Sequence, residues 1–324
     1  MKLKRKSWLV TGVMLVFMAA VTACGTGPAS DTAQGNQTAA DSAVRRPLTM
    51  TDGMGHKVKV PANPQRIWAP ALEDPIVALG DADRLVGQYS SGNVVDGYLQ
   101  KWLKGKPHID LTGNGLDPET VLSMNPDLII LFAAGLAENG KYAQYSRIAP
   151  TYVFNVKSGS QAAWRQELLT LGTMLHQSDR AKQLLANYDK KVAAAKQKLK
   201  YTVGDKTVAI IEPSGKQLFL IGPGTFAGQE VYGDLGLKAP KLAKGWGTLS
   251  FEALPNLQAD YIFVVVGNDS TSELQQLTSS PVWKNLPAVK ARHVYQVSYG
   301  NWINNGVIAN EVTIDDVLKH IAKD

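Results

Sequence analysis

Ser178–Lys200 reads SDRAKQLLANYDKKVAAAKQKLK, and this stretch decides how the rest of the chain is laid out. It holds no Gly or Pro and is dominated by Ala, Lys, Leu and Gln, residues that lose little on entering a helix. Asp179 stands near its start and Lys196, Lys198 and Lys200 near its end, the polarity a helix dipole favours. Leu184, Leu185, Tyr188 and Val192 mark an apolar stripe along one side. The segment falls near the middle of the globular sequence. It is expected to be a long helix joining two halves; the other reading is a surface helix within one domain.

On both sides of it, short β-branched runs alternate with helical patterns. Strands are expected at Arg66–Ala69, Leu128–Leu131, Thr151–Phe154, Val208–Ile211, Leu218–Ile221, Tyr261–Val266 and Val294–Val297. Between them lie apolar residues at helical spacing, such as Trp164, Leu168, Leu171 and Leu175. This alternation predicts α/β lobes with largely parallel sheets, helices covering each face.

The halves echo each other. Glu119-Thr120-Val121-Leu122 leads through Pro126-Asp127 into Leu128-Ile129-Ile130. Glu252-Ala253-Leu254 leads through Ala259-Asp260 into Tyr261-Ile262-Phe263. In both, eight positions separate glutamate from aspartate. A helix that starts at each glutamate and feeds a strand after each aspartate would place Glu119 and Glu252 at equivalent lobe edges.

The chain opens with a basic segment, Lys2, Lys4, Arg5 and Lys6, then an apolar run from Trp8 to Val21 that is short for a bilayer span. Val21-Thr22-Ala23-Cys24 looks like the lipobox of bacterial lipoproteins, in which the cysteine is acylated and the chain is cut just before it. Cys24 is the sole cysteine, so no intrachain disulfide forms. Gly25 to about Ala43 is small and polar and cannot bury a core, which predicts a tether. Residues 1–23 are thus expected to be a signal peptide and 24–47 a tether. Residues 48–177 would form the first lobe, 178–200 the joining helix and 201–324 the second lobe. The formal charge is +6, but four of the basic residues lie in the leader, leaving about +2 for the remainder. Charge therefore gives no support to a nucleic-acid partner.

No nucleophile elbow, phosphate loop or Gly-x-Gly-x-x-Gly fingerprint is present, so nothing positive supports an enzyme and no catalytic residue is assigned. The five histidines show no metal-ligand spacing, and no protein-held metal or cofactor is expected. Aromatic residues near strand ends are more suggestive: Trp68, Tyr89, Phe226, Trp246, Tyr299 and Trp302. In open α/β sheets, ligands bind beyond the carboxyl ends of the strands. Each of these rings could instead be core; as a set they are candidates for a cleft wall.

The order of several segments resembles the iron–siderophore binding proteins of ABC importers. These are Thr51-Asp52-Gly53-Met54-Gly55 to Pro64-Gln65-Arg66-Ile67, Asp83-Arg84-Leu85-Val86-Gly87, Asn125-Pro126-Asp127-Leu128-Ile129-Ile130, Ile148-Ala149-Pro150-Thr151, Gly222-Pro223, Gly233-Asp234-Leu235-Gly236, Trp283 and Val294-Tyr295. They span about residues 48 to 322. The resemblance implies an α/β fold of two Rossmann-like lobes joined by a single long α-helix, the type III periplasmic-binding-protein architecture. It implies an extracytoplasmic, lipid-anchored monomer on the cell membrane that hands a ferric siderophore to an ABC importer permease. It makes Glu119 and Glu252 the residues that dock on permease arginines. Within the family the chain is similar to ferric-hydroxamate binders, through Trp246-Gly247-Thr248 and the nearby Trp302. Gly113 and Leu136 stand where those proteins carry an arginine and a cleft tyrosine. The loops offer aromatics and the amides Asn301, Asn304 and Asn305 with few arginines, which fits a near-neutral, pre-chelated iron complex better than an anionic catecholate. Arg165, beside Trp164, has no place in this scheme. The alternative cargo is haem, with Tyr89 or a methionine as axial ligand, or a cobamide.

Overall fold

The computed structural model describes residues 46–91, 94–155, 163–267 and 271–322. The leader, the tether and Cys24 lie outside these residues. Thirteen strands are described. In the first half they are β1 Leu48–Thr51, β2 Lys57–Val60, β3 Ile67–Trp68, β4 Gln88–Ser91, β5 Val94–Val95, β6 His108–Asp110, β7 Leu128–Leu131 and β8 Thr151–Val153. In the second they are β9 Val208–Ser214, β10 Gln217–Ile221, β11 Trp246–Ser250, β12 Tyr261–Val266 and β13 Val294–Ser298.

The sheets keep to their own halves. β1 and β2 pair antiparallel, β3-β7-β8 form a parallel sheet, and β5-β4-β6 form a third, with β4 and β6 parallel. A parallel bridge from Ile67 to Leu85 links β3 to the lead-in of β4. The second half is a single five-stranded sheet, β11-β10-β9-β12-β13. There the expectation of parallel strands holds for β9, β12 and β13 only. β9 and β10 are joined by Gly215-Lys216, with Gly215 at φ +59°, so β10 and then β11 run antiparallel. A two-residue link cannot make the crossover that parallel strands need.

Ser178–Thr202 is one helix of 25 residues, two residues longer than the stretch that predicted it. The strands explain its role. Alternate residues of each strand enter different cores. In β9 and β12, Ala209, Ile211, Ile262 and Val264 pack on one face, whereas Val208, Ile210, Tyr261, Phe263 and Val265 pack on the other. In the first half, Trp68, Ile129 and Leu131 face an outer core, whereas Ile67, Leu128 and Ile130 face inward. The inner faces of both halves belong to one apolar cluster that also takes Ala181, Tyr188, Ala195 and Leu199 of the long helix. Burial of these side chains, at about 25 cal/mol per Å², fixes the rod against both sheets. Arg165 is accounted for here. It pairs with Asp189 at 2.8 Å and lies over the rings of Trp164 and Tyr188, clamping the helix Ala163–Met174 to the long one.

The repeated aspartates also acquire a physical reason. Asp127 accepts hydrogen bonds from the backbone N–H groups of Gln65 and Arg66, immediately before β3. Asp260 accepts from the N–H and hydroxyl of Thr207, immediately before β9. Each carboxylate ties the start of its own strand to the start of its parallel neighbour. A charged acceptor makes such a bond worth about 1.5–3 kcal/mol. The echo is thus a repeated strand-registration device, and the glutamate eight residues earlier begins the short helix that feeds it.

Candidate functional site

The carboxyl ends of the parallel strands converge on residues from both halves. Glu212 lies toward the end of β9, Ser298 ends β13, and Tyr299 follows directly. From the first half, Tyr89 lies in β4 and Asp96 follows β5. Asp96 accepts a hydrogen bond from Asn304 at 2.8 Å, and a Cβ added at Gly300 would lie 3.9 Å from Asp96, so the segment after β13 reaches across to the first half. The Tyr299 phenol is pushed up by burial and by the carboxylates of Glu212 and Asp96, with Tyr89 beside it. The Tyr89 phenol is likewise raised by burial, then by Asp96, Asp110 and Glu73.

An aromatic wall adjoins this cluster. Phe219 is paired directly with Glu212 across β9 and β10, and Trp246 with Ile221 across β10 and β11. Residues directly opposite in an antiparallel pair share a face, as do residues two apart on a strand. Glu212, Phe219 and Trp246 therefore line one side of the sheet. Phe219 and Trp246 lie 5.0 Å apart, and Phe226 meets Trp246 edge-on at 5.4 Å. Trp246 keeps 43% of its surface open to solvent and Tyr299 41%, among the largest values for apolar or aromatic side chains described. Gly222 makes this arrangement possible. Its N–H donates to Gly245 O at 2.8 Å, and a Cβ at Gly222 would lie 2.3 Å from the Gly245 nitrogen. Phe226 itself sits at φ +42°, a left-handed conformation that costs a non-glycine residue about 1 kcal/mol.

Of the expected wall residues, Tyr299 follows β13 directly, Trp246 opens β11, Phe226 packs against Trp246, and Tyr89 lies within β4. Two others are buried away from any surface, and they are corrections. Trp68 is fully buried in the outer core of the first half, its ring 5.9 Å from Tyr145. The alternation of β3 turns Ile67 inward and so turns Trp68 under the helix Lys141–Ile148. Trp302 is also fully buried. It packs 4.7 Å from Phe263, and its Nε1–H donates to Asp316 at 3.0 Å. It anchors the segment that presents Tyr299 rather than touching the gap. Conversely, Phe219, Glu212 and Asp96 went unnoticed in the sequence. Strand pairing sets Phe219 beside Glu212, a hydrogen bond from Asn304 holds Asp96, and no local motif marks any of the three.

Glu119 and Glu252 are both exposed, each in the first turn of a short helix, Pro118–Ser123 and Phe251–Leu257. Glu252 is held below the usual carboxylate range by its own backbone N–H and by Ser250. Among the described residues, no group of three or more His, Cys, Asp or Glu side chains could hold a metal, and no helix is long and apolar enough to cross a membrane.

Behind the gap lies a second contact between the halves. Asp74, on the helix Glu73–Leu79, accepts hydrogen bonds from the N–H groups of Ile308 and Ala309 at the start of the last helix, Val307–Ile321. Gly306 permits this approach. Its φ is +150°, and a Cβ there would fall 2.2 Å from the Asp74 carboxyl carbon. Glu73 accepts from the Tyr89 N–H at 2.6 Å. Burial pushes Glu73 up to about 8, Asp74 to about 7 and Asp96 to about 6, with hydrogen bonds from backbone groups, Tyr98 and Asn304 pulling the other way. A carboxyl whose folded value is raised stabilises the fold below its unfolded value, near 4, and loses that contribution as pH climbs through the folded value. The thermal midpoint is accordingly expected to fall by roughly 5–10 °C between pH 5 and pH 8.5, and Glu73→Gln to flatten the slope. Calorimetry across that range checks it; a midpoint that stays level or rises would contradict the burial of these groups.

Two α/β halves with one long helix between them in the chain define a bilobal solute-binding architecture. The chain belongs to the periplasmic binding protein family, whose description matches residues 73–298. It is 32% identical over 323 residues to the iron(3+)-hydroxamate-binding protein FhuD of Bacillus subtilis, covering 95% of this chain and 96% of that protein. It is 28% identical to the probable siderophore-binding lipoprotein YfiY of the same organism, over 96% of this chain and 98% of that one. Among solved structures, it is similar to a FhuD fold-family component of a ferrichrome ABC transporter from Bacillus subtilis. That similarity has a TM-score of 0.68 at 29% identity, over 85% of this chain and 100% of the other. The bilobal α/β fold that the sequence resemblance implies is the observed one.

Proposed function

We propose that this protein captures a ferric siderophore of hydroxamate type outside the cytoplasm and delivers it to an ABC importer permease. One observation carries the reading. Trp246 opens β11 with a face exposed to solvent and with Phe219 and Phe226 packed against it, on the same side of the second sheet as Glu212. Such a wall suits the amphipathic coat of an iron chelate, which brings its own metal ligands and needs contact area and a few orienting polar groups. The names of the relatives support the cargo class and do not favour haem or a cobamide. Acylation of Cys24 would hold the protein at the membrane, with residues 24–47 as tether. Glu119 and Glu252 are assigned to permease docking, because each occupies the same place relative to a strand-registering aspartate in its own half.

Titration of tryptophan fluorescence with ferric hydroxamate, catecholate and carboxylate complexes tests the proposal. Saturable quenching by the hydroxamate class is expected. Silence toward all three, or a Soret band on adding hemin, would sink it.

A further inference from the structure

We infer that Asn304 is a positioning residue for cargo capture, one that fixes Tyr299 by tying its segment to Asp96 of the opposite half; this rests on the siderophore reading above and on Tyr299 as a wall residue. Tyr299 opens a helical turn of four residues, Tyr299–Trp302, directly after β13. A single turn does not hold itself in water. Its anchor in the second half is the buried Trp302, at the far end of the turn. The other restraint comes from the first half. Asn304 spends both of its amide hydrogens. One bond runs to the carbonyl of Gly300, next to Tyr299, at 2.5 Å, and the other to Asp96 Oδ1 at 2.8 Å. Neither hydrogen is left for cargo, so Asn304 acts through the segment it holds.

The turn lies directly on the first half. A Cβ added at Gly300 would stand 3.7 Å from the Gly97 nitrogen and 3.9 Å from Asp96 Cα, ordinary contact distances. Just downstream, Asp74 accepts from the N–H groups of Ile308 and Ala309 at 3.1 and 2.8 Å, so the first half grips the segment at two points. Asp96 in turn follows β5, whose Val95 pairs with Ser90, the neighbour of Tyr89 in β4. The bond from Asn304 therefore sets Tyr299 relative to the strand that carries Tyr89. A ring already held in place loses no freedom when cargo binds. Without the tie the turn moves, and the loss shows mainly as faster release.

The test measures binding of a linear ferric trihydroxamate by tryptophan quenching, at equilibrium and by stopped flow. Asn304→Ala is expected to weaken binding about tenfold through dissociation, with association within about twofold. Asp96→Ala, on the other half, should lose the same factor, and Asp96→Asn, which keeps an oxygen acceptor, should recover most of it. Tyr299→Ala weakens binding by itself, and adding Asn304→Ala to it should cost less than about twofold more, since the ring to be positioned is gone. Asp96→Ala combined with Tyr299→Ala carries the test if Asn304→Ala does not fold. Full affinity in Tyr299→Ala or in either tie variant, or losses that multiply in the double variant, overturns the inference and leaves the siderophore function standing. Failure of the unmodified protein to bind the complex overturns both.

Discussion

Reversing both docking charges, Glu119→Arg with Glu252→Arg, is expected to cut uptake of the iron complex by cells to about one per cent, with ligand affinity within about twofold of the unmodified protein. Both side chains are exposed and lie on short helices that precede strands. Rim charges facing a partner's cations govern encounter and register, and a like charge set against the partner costs several kcal/mol. The two halves must engage together, so each single reversal should lose part of the transport and the pair nearly all of it. Uptake of labelled iron by cells, beside a fluorescence titration of the purified protein, separates the two effects. Persistent uptake would remove the docking role. A collapse of affinity would instead place the glutamates in the ligand site. Recovery of transport with acidic residues substituted in the permease would identify the partner surface directly.

The tryptophans divide into two kinds, and alanine substitution should separate them. Trp302→Ala is expected to cost about 3–5 kcal/mol of stability, the range for removing a fully buried aromatic side chain. The ring has no exposed surface, packs on Phe263 and satisfies its N–H through Asp316. Trp246→Ala should leave the unfolding midpoint within about 2 °C, because its open face touches solvent, while weakening ligand binding by about 10- to 100-fold. Denaturant unfolding and ligand titration on both variants check the division. If Trp246→Ala unfolded the protein, or left affinity untouched, the ring would not belong to the wall. Phe226, at φ +42°, is the more delicate neighbour, since a left-handed backbone strains a non-glycine residue.

These assignments show what kind of information a linear reading carries. The long helix, the hydrophobic strands and the paired Glu-to-Asp spacing were legible because each depends on residues close together in the chain. Helix propensity, a run of β-branched residues and a spacing of eight are local properties, although the bonds made by Asp127 and Asp260 are not. Strands such as Gln88–Ser91 were not legible, because their polar residues are paid for by distant partners: Gln88 donates to the carbonyls of Leu103 and Lys106. β11 was hidden for a similar reason. Its Trp246 and Gly247 become strand only through pairing with Leu220 and Ile221.

The sequence by itself determined the class of the fold, the rod between two halves and the residues that could wall a gap. It could not decide which aromatic ring faces the gap, since that follows from strand register: one step along β3 exchanges the inner for the outer core, and Trp68 falls on the buried side. Nor could it reveal which polar groups meet across the halves. Asn304 and Asp96 are 208 residues apart and bond only when the segment after β13 folds back against the first half. Local propensity is written along the chain, whereas the charge of a binding site is the sum over whatever the tertiary fold assembles.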